Sequence, residues 1–497
     1  MSYKKVLLVF PDISERLWHK GYFHYGLAHI SSYLKGKIND LDISLLTVRD
    51  KNFSLDEFSK LIEEFEPQIV GFTSTTHSFP IAQKMAGWIK EINNNILSVC
   101  GGIHVTINPN EALITSEFDV IVCGDGEYPM ELLVNEWVDH GRIPDDRGIL
   151  YRKDGKVVDN GLARVSDTES LPDPDWELFD YMNLDDGSQG IGGLMMSRGC
   201  PYQCTYCCNH KIDSSYKDNN ERYTRFKSVD KGITEIQNFV SKYPKIHTLY
   251  FDDDILPLKR KWFLEFAERY RNEINKPFWC NIRPNLVDEE IVDAFVRAGC
   301  VRAGIGIESG NAKIRNEILR RNISDETIID AVSLLKKKKI YVYTFNMVGI
   351  PKETKGELMD TIRFNAKVQS DKMQCSVFYP YKHTALYDLI VREGLYMSER
   401  SLMEYTSESI LNFDYPQKNR IYFTVLTMNI IVKIYKMLPG CISEIFLKVI
   451  YSNPSAMSLL PLLNMVSKKM LASKSLTNVL RYMFRHIIPP PPTAMSQ

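Results

Sequence analysis

The octapeptide CPYQCTYC (200–207) follows directly on the apolar stretch GGLMMSRG (192–199). Such a stretch is typical of a buried strand, so the cysteines are predicted to lie in a loop at its carboxyl end. Barrel enzymes place their chemistry in loops of this kind. Three thiolates from one short loop can ligate three irons of a cubane cluster and leave the fourth iron open for a small molecule. Cys200, Cys204 and Cys207 are therefore predicted to hold a 4Fe–4S cluster.

Other interpretations of this loop stay open. A zinc site normally takes four ligands in two separated pairs, and the sequence contains no second CxxC and no HxxxH pair. Unpaired core thiols would be unusual at a density of four cysteines within nine residues. Cys208 could replace Cys207 as the third ligand by count, although a small buried thiol is its more ordinary role.

Composition limits the remaining possibilities. With 497 residues, 44% apolar and 25% charged, the chain can form two or three cores and is expected to be mostly soluble. A net charge of -1 offers no basic field for phosphate backbones, so a nucleic-acid partner is not expected. Ten cysteines are too sparse for a disulfide scaffold, and the start MSYKKVLLVFPD has no long apolar signal region. We therefore expect the protein in the cytoplasm.

Upstream of the cysteines, short apolar runs alternate with helix-length segments. The runs are VLLVF (6–10), ISLLTV (43–48), IVGFTS (69–74), ILSVCGG (96–102) and DVIVCGDGE (119–127). This rhythm predicts a parallel, doubly wound α/β sheet, on which ligands bind beyond the carboxyl ends of the strands. We predict a Rossmann-like domain at residues 1–142 and a linker with a small hairpin at 143–190.

Downstream of residue 190 the alternation resumes with six strand-like runs. After GGLMMSRGC, the runs are KIHTLYFDDD (245–254), FWCNIRP (278–284), VRAGIGIESG (301–310), YVYTFNMVGIP (341–351) and QCSVFYPY (374–381). The spacers read as helices, and DEEIVDAFVRAG (288–299) has its apolar residues at helical spacing. We predict a partial (β/α)6, TIM-like barrel at 191–400 and a helical carboxyl-terminal segment at 401–497.

The spacing C-x-x-x-C-x-x-C, with Tyr206 just before the last cysteine, resembles the signature of the radical S-adenosylmethionine (SAM) superfamily. FDDDIL (251–256), WCNIR (279–283), GIGIESG (304–310) and MVGIPKET (347–354) are similar to further motifs of that family. Its members reduce SAM by one electron to give methionine and a 5′-deoxyadenosyl radical. The resemblance therefore implies a 4Fe–4S cluster and SAM as cofactors, and a one-electron reductant such as a flavodoxin or ferredoxin as a partner.

The resemblance also implies where SAM binds. Asp253 or Asp254 would contact the methionyl amino group, Arg283 and Glu308 would hold ribose or carboxylate, backbone near Gly349 would meet the adenine, and Tyr206 would belong to the same site. Two plainer interpretations remain, in which the aspartates are a solvated strand end and the arginine simply pairs with an acid. For the glutamate, which lies on an apolar strand, burial without a partner would be costly.

The amino-terminal segments resemble the cobalamin-binding domain that precedes many radical SAM domains. The residues that carry this resemblance are HYGLAHISSYL (24–34), IVGFTSTTHSF (69–79), CGGIHVTINPNEAL (100–113) and FDVIVCGDGEYPMELL (118–133). A corrin needs a broad platform of backbone at strand ends, and glycine pairs can supply one. The implied cobalamin contacts are Ser74, Thr75, Gly101, Gly102, His104, Gly124, Gly126 and Glu127.

Two motifs are missing from this region. No GxGxxG fingerprint follows the first strand, which argues against a nicotinamide site. The DxHxxG stretch that gives cobalt a histidine ligand in some cobalamin proteins is also missing, so the resemblance implies cobalt without a lower histidine. A degenerate domain that binds no corrin stays open as an alternative.

The carboxyl-terminal segment is apolar and basic. Residues 421–497 contain eight Lys or Arg against Glu444 alone, and their apolar runs are shorter than the roughly 20 residues that a spanning helix needs. A basic amphipathic helix can lie on an anionic membrane surface, here the inner face of the cell membrane. The alternative is a helical cap over the barrel with solvated lysines.

Together these observations predict a cobalamin-dependent radical SAM enzyme that transfers a methyl group to an unactivated carbon of a small-molecule or lipid-like substrate. Two other functions remain as alternatives. Cobalamin could assist a radical rearrangement, cyclisation or ring contraction without donating methyl, or the protein could be a non-catalytic cobalamin-binding sensor.

Overall fold

A computed structural model describes residues 3–12, 20–50, 52–395 and 409–452. Its elements form a mainly parallel seven-stranded sheet and a parallel six-stranded sheet, each with helices on its faces, followed by two carboxyl-terminal helices. The predicted fold class is thereby confirmed.

The first sheet belongs to the amino-terminal domain. Its strands are β1 (Lys4–Pro11), β2 (Leu41–Val48), β3 (Ile69–Thr73), β4 (Leu97–Gly101), β5 (Val120–Val122), β6 (Ile149–Lys153) and β7 (Lys156–Asp159). Their order is β2-β1-β3-β4-β5-β6-β7, parallel through β5 and antiparallel in the last two pairs. All five residues of β3 are buried, as expected for a strand covered by helices on both faces.

Six helices connect and cover these strands. They are α1 (Tyr25–Lys37), α2 (Leu55–Phe65), α3 (Phe79–Ile92), α4 (Ile103–Ile107), α5 (Pro109–Thr115) and α6 (Glu127–His140). Helix α2 begins at a capping box, in which Ser54 and Glu57 satisfy each other's backbone amides.

The predicted linker hairpin is the pair β6–β7, and it extends the first sheet beyond residue 142. The rest of this segment contains 3-10 turns at Glu177–Phe179 and Tyr181–Asn183 and the short helix α7 (Asp185–Ser188). Trp176, Phe179 and Tyr181 are buried in a cluster that includes core residues of both sheets. The linker therefore fills the space between the two domains.

The second sheet has six parallel strands, in accordance with the six predicted runs. They are β8 (Ile191–Leu194), β11 (Thr248–Phe251), β12 (Phe278–Ile282), β13 (Cys300–Glu308), β14 (Tyr341–Val348) and β15 (Lys372–Val377), in that spatial order. The short strands β9 (Ser197–Arg198) and β10 (Arg225–Phe226) form a separate antiparallel ribbon beside the cysteine loop.

The helices of this half are α8 (Cys208–Asp218), α9 (Val229–Lys242), α10 (Arg260–Glu273), α11 (Glu289–Ala298), α12 (Asp325–Lys337), α13 (Lys355–Val368), α14 (Ala385–Arg392), α15 (Tyr415–Met437) and α16 (Gly440–Ser452). Shorter helical turns lie at Leu256–Leu258, Pro284–Leu286 and Ile314–Ile318. Helix α11 begins at the cap Asp288 and ends at Gly299, whose φ of 88° suits glycine.

Helices α15 and α16 pack on α13 and on the edge strand β15 through one apolar cluster. Within the described part of the chain, no helix is both long and apolar enough to cross a bilayer. The rest of the basic segment, 453–497, lies outside the described residues, so its predicted membrane contact stays a prediction.

Candidate active site

The three predicted cluster cysteines line one cavity at the carboxyl ends of the barrel strands. This cysteine cavity has a volume of about 300 Å³. Four neighbouring strands, β11 to β14, contribute the wall residues Tyr250, Asn281, Gly304 and Phe345. A cubane needs spaced thiols, because each thiolate binds a different iron. The loop and the four strand ends thus offer thiols and an adjoining space for a ligand.

Thr205 holds the cysteine loop in place. Its amide donates to the Leu319 carbonyl at 3.2 Å, and its hydroxyl donates to the Ile318 carbonyl at 2.7 Å. Its own carbonyl accepts from the Leu386 amide at 2.9 Å. The loop is therefore tied to the turn after β13 and to α14.

Cys208 has different surroundings from the other three cysteines. It is the first residue of α8 and packs against the apolar cluster of Ile107, Ile212 and Tyr216. Burial raises the pKa of Cys208 to about 11, and it raises the pKa of Cys200 to the same value. These thiols are protonated at neutral pH, so ligation of a metal through Cys200 would release a proton.

Arg283 lies between the loop and the barrel. Its guanidinium stacks on the Tyr202 ring, 3.8 Å from the ring centroid, and its Nη1 is 3.8 Å from Cys204 Sγ. Its Nη2 donates to the Arg321 carbonyl. Among the described residues no carboxylate lies within salt-bridge distance of it, so simple pairing with an acid does not explain this arginine.

Glu308 forms a buried group with Arg321 and Tyr206. Arg321 Nη1 is 3.3 Å from Glu308 Oε1 and 2.9 Å from the Tyr206 hydroxyl, and its Nη2 donates to the Gly306 carbonyl at 2.6 Å. Burial raises the pKa of Glu308, although the arginine opposes this shift. The backbone at Glu308 is left-handed, with φ 67°, where the register of β13 shifts against β14. This irregularity places a carboxylate in the cavity wall.

Two aspartates that follow β11 point in different directions, Asp254 toward the cysteine cavity and Asp253 toward the core. Asp254 lines the cysteine cavity and accepts from Asn209 Nδ2 at 2.9 Å, and burial raises its pKa. Asp253 turns away and accepts from the Met196 amide at 3.1 Å and from the Ser197 hydroxyl, while burial raises its pKa to about 6. Asp254 is thus placed to contact a ligand, and Asp253 braces the segment before the cysteines.

Gly349 faces the carboxyl-terminal helices and is outside the described lining of the cysteine cavity. A Cβ at this position would lie 3.3 Å from Ile421, and the φ of 77° favours glycine. Its amide donates to Glu353 Oε2 at 2.6 Å.

A second cavity, of about 140 Å³, lies beyond the strand ends of the first sheet. We call it the glycine cavity, because Gly101, Gly102, Gly124 and Gly126 form its rim above an apolar floor that includes Leu8 and Met130. A Cβ on Gly102 would lie 2.6 Å from the Ser74 backbone, so only glycine fits there. Exposed backbone above an apolar floor suits the close approach of a large flat ligand.

The other predicted cobalamin contacts are divided. Glu127 lines the glycine cavity, whereas Ser74, Thr75 and His104 are held elsewhere. The Ser74 hydroxyl donates back to the Gly101 carbonyl at 3.1 Å, and the Thr75 hydroxyl pairs with Ser78 at 3.2 Å. His104 bonds the Thr76 hydroxyl at 3.2 Å, and burial lowers its pKa to about 4.

Sequence reasoning missed His24, Thr73 and Arg198, which also line the glycine cavity. His24 caps α1: its Nδ1 accepts from the Leu27 amide at 3.1 Å, and its Nε2 bonds the Thr73 hydroxyl at 3.2 Å. Burial lowers the pKa of His24 to about 4, so the ring is neutral at pH 7. The two hydrogen bonds occupy both of its ring nitrogens. His24 and Thr73 lie within segments that resemble a cobalamin-binding domain, whereas the position of Arg198 in this cavity follows from packing between the domains.

A third cavity, of about 270 Å³, shares lining residues with both of the first two, and we call it the bridging cavity. It shares Asn209 and Asp254 with the cysteine cavity, and Gly26, Asp125 and Arg198 with the glycine cavity. Tyr25, Ser197, Tyr223 and Asp252 complete its polar lining.

Comparison with known proteins identifies two domains in the chain. The family model of the radical SAM superfamily matches residues 194–364, and that of the B12 binding domain matches residues 22–134. An uncharacterized methyltransferase of Pyrococcus horikoshii is 28% identical over 404 residues, which are 80% of this chain and 85% of that protein. An anaerobic magnesium-protoporphyrin IX monomethyl ester cyclase of Cereibacter sphaeroides is 26% identical, covering 73% of this chain and 59% of the cyclase.

Two solved structures share the fold. The cobalamin-dependent SAM radical enzyme OxsB, with aqua-cobalamin and SAM bound, aligns at a TM-score of 0.69 and 16% identity over 97% of this chain and 78% of OxsB. The radical SAM methyltransferase TsrM of Kitasatospora setae, with cobalamin and a 4Fe–4S cluster bound, aligns at 0.61 and 18% identity over 79% of this chain and 75% of TsrM. The arrangement of domains is therefore one that this fold adopts in other proteins.

Proposed function

We propose that this member of the radical SAM superfamily, which carries a B12-binding domain ahead of its radical SAM domain, transfers a methyl group from SAM to an unactivated carbon of a small molecule. When bound, the cluster with SAM supplies a hydrogen-abstracting radical, and cobalamin supplies the methyl group. The bridging cavity is the observation that carries the proposal, because it adjoins both the cysteine cavity and the glycine cavity. A substrate carbon can be reached both by the radical and by the methyl group only where the spaces for SAM and cobalamin adjoin.

Cys200, Cys204 and Cys207 would hold the cluster, because their side chains share the cavity wall while Cys208 belongs to an apolar cluster. The Thr205 hydrogen bonds keep the loop in position over the strand ends. Preorganised ligands of this kind lower the entropic cost of assembling a metal site.

The cavity wall matches the charges of SAM. Asp254 would accept hydrogen bonds from the ammonium group, since its carboxylate is open to the cavity. Arg283 would attract the carboxylate, and Glu308 would accept from ribose hydroxyls. Tyr206 and Arg321 act by holding that glutamate in its left-handed position.

The rim of the glycine cavity would receive the corrin. Neither nitrogen of His24, which lines this cavity, is free to bind cobalt. We therefore expect cobalamin to bind without a histidine from the described lining of this cavity. Arg198 closes the cavity from the barrel side.

Labelled SAM tests the proposal. Anaerobically reconstituted protein is given reductant, cobalamin, SAM labelled in its methyl group and a small-molecule extract of cells that lack this protein. We expect 5′-deoxyadenosine, S-adenosylhomocysteine and a labelled product in mass spectra, and none of the 5′-deoxyadenosine with the Cys204→Ala variant. If 5′-deoxyadenosine forms while no product carries the label, a cobalamin-assisted rearrangement or cyclisation replaces methyl transfer.

A further inference from the structure

The cysteine loop is covered on most sides by the protein itself. Its inner side faces the cysteine cavity, and Cys208 with α8 packs against Ile107 of the amino-terminal domain. The Tyr206 ring packs against the cluster around Ile318 and Ile350. A donor protein is therefore expected to approach the loop most closely from the side that these contacts leave open.

That open side is a surface depression of about 330 Å³, which we call the arginine bowl. Its floor is formed by Tyr202, Arg283 and Arg321, and its exposed rim includes Gln203 and Arg320. Among the described lining residues there is no carboxylate. The bowl is therefore concave, and because Arg321 is paired with Glu308 and Arg283 is buried, its outward positive charge comes from Arg320 on the rim.

The floor of the bowl lies one side chain away from a proposed cluster ligand. Arg283 contacts the Tyr202 ring on one side and lies 3.8 Å from Cys204 Sγ on the other. Because electron tunnelling weakens steeply with distance, a donor seated here would have a short path to the cluster.

The positive charge continues beyond the bowl along α8. Lys211 and Arg320 both lie near His210. Burial lowers the pKa of His210 most, Asp213 opposes this shift, and the two cations lower the pKa further. Lys217 also belongs to this group, but its charge is offset by Asp213 at 2.5 Å. Within the described residues, no carboxylate lies within salt-bridge distance of Lys211 or Arg320, so both charges remain available to a partner.

We propose that the arginine bowl, together with Lys211, docks an acidic one-electron carrier protein of the flavodoxin or ferredoxin kind. The proposal rests on the proposed function, which requires a reduced cluster. In the step, one electron leaves the reduced flavin or iron–sulfur centre of the carrier and enters the cluster, and no bond is formed or broken. Opposite charges steer such an encounter and increase its rate most strongly at low ionic strength.

The test reverses the charge of the surface and leaves the proposed ligands intact. In the reconstituted holoprotein, Lys211→Glu is combined with Arg320→Glu, and the matched control combines Arg297→Glu with Lys337→Glu. The control cations end helices α11 and α12, away from the bowl, and their replacement changes the net charge equally. Titration calorimetry measures the affinity for oxidised flavodoxin, and stopped-flow absorbance measures cluster reduction by reduced flavodoxin and by dithionite.

At low salt we expect the Lys211/Arg320 pair to weaken flavodoxin affinity and slow flavodoxin-driven reduction by about tenfold or more. The difference should shrink at high salt, because exposed charges are screened beyond about 8–10 Å at physiological ionic strength. Reduction by dithionite, which needs no docking, should be unchanged, and this arm also shows that the variant is folded. Arg320→Gln provides a milder variant with a smaller effect in the same direction.

Equal loss of affinity in the control pair, or no loss in the bowl pair, would overturn the docking proposal. Failure of the proposed function is distinguishable, because the unaltered protein would then form no labelled product, or cleave no SAM, even with dithionite and whatever its affinity for flavodoxin.

Discussion

At the scale of single residues, adjacent positions in the cysteine loop have opposite surroundings. Cys207 faces the cavity, while Cys208 starts α8 and joins an apolar cluster with Ile212 and Tyr216. Sequence spacing alone cannot separate them, because either could be the third cysteine by count.

We predict that Cys207→Ala loses the cluster and that Cys208→Ala keeps it. Truncation of a thiol within an apolar cluster removes one small group and should cost about 1 kcal/mol of stability. Iron and acid-labile sulfide are measured after anaerobic reconstitution, with Cys200→Ala and Cys204→Ala as positive controls for loss. A full cluster in Cys207→Ala with none in Cys208→Ala would reverse the assignment.

Glu353 holds the Gly349 loop and is buried, and burial raises its pKa from 4.5 to about 8. A carboxyl with a raised folded-state pKa binds its proton more tightly when folded, so the fold loses stability as pH rises from 4.5 toward 8. We predict that the melting temperature of Glu353→Gln rises relative to the unaltered protein across this window. The underlying free energy is on the order of a few kcal/mol.

Glu357, in the same segment, is the control with the opposite sign. Burial opposes the shift, but hydrogen bonds in the Thr354 capping box lower the pKa of this carboxyl. Its contribution is present above its ordinary pKa and is lost as pH falls, so Glu357→Gln should destabilise at neutral pH and less so in acid. Parallel pH profiles for the two variants would contradict the burial argument.

Sequence predicted best where local chemistry decides the position. The cysteine loop and the glycines of the rim could be predicted because residue type and spacing indicate a loop or a close approach, but spacing did not choose between Cys207 and Cys208. Ser74 and His104 lie in the expected segment, yet hydrogen bonds to Gly101 and Thr76 turn their side chains away from the cavity. Such orientations depend on packing between elements distant in sequence, as does the presence of Arg198 in the cavity of another domain.

At the scale of elements, α15 covers the edge strand of the barrel sheet and bonds its backbone. Strand β15 ends the barrel sheet, and unpaired backbone on an edge strand invites wrong pairing. Asn429 of α15 accepts from the Met373 amide at 3.0 Å and donates to the Met373 carbonyl at 2.7 Å. One side chain therefore imitates a neighbouring strand, which supports the helical-cap interpretation for this part of the basic segment.

We predict that Asn429→Ala destabilises the protein by about 1–3 kcal/mol, because it leaves two partly buried backbone groups without partners. Hydrogen exchange at Met373 should accelerate, and the melting temperature should fall. Asn272→Ala, on the exposed face of α10, is the matched control and should change little. Unchanged hydrogen exchange at Met373 would show that the two Asn429 hydrogen bonds do not stabilise this strand edge.

At the scale of the whole molecule, the two domains meet through charged side chains near the cavities. Arg198 pairs with Glu127 at 2.7 Å and with Asp125 at 3.5 Å, and Arg225 also pairs with Asp125. Burial would raise the pKa of Asp125, but the two arginines lower it overall. The segment that leads into the cysteine loop is thus bound to the rim of the glycine cavity.

Arg198→Ala should weaken cobalamin binding by about tenfold, or roughly 1.4 kcal/mol, while the cluster content stays unchanged. The physical reason is that Glu127 would keep its buried charge without a cation, which is strongly unfavourable, while Asp125 would keep Arg225 as its one partner. Repulsion between the two carboxylates would then displace Gly126, which lies between them on the rim. Equilibrium dialysis with hydroxocobalamin measures the affinity, and iron analysis measures the cluster.

Arg147→Ala is the control for a general weakening of the domain interface. Arg147 pairs with Glu221 across the domains at 2.5 Å, but it is not part of the described lining of the glycine cavity. If Arg198→Ala weakens cobalamin binding by disturbing the cavity rim, Arg147→Ala should keep its cobalamin affinity although it loses a similar interdomain ion pair. Equal weakening in both variants would instead mean that any loosening of the interface releases the corrin, and Arg198 would then have no special place in the site.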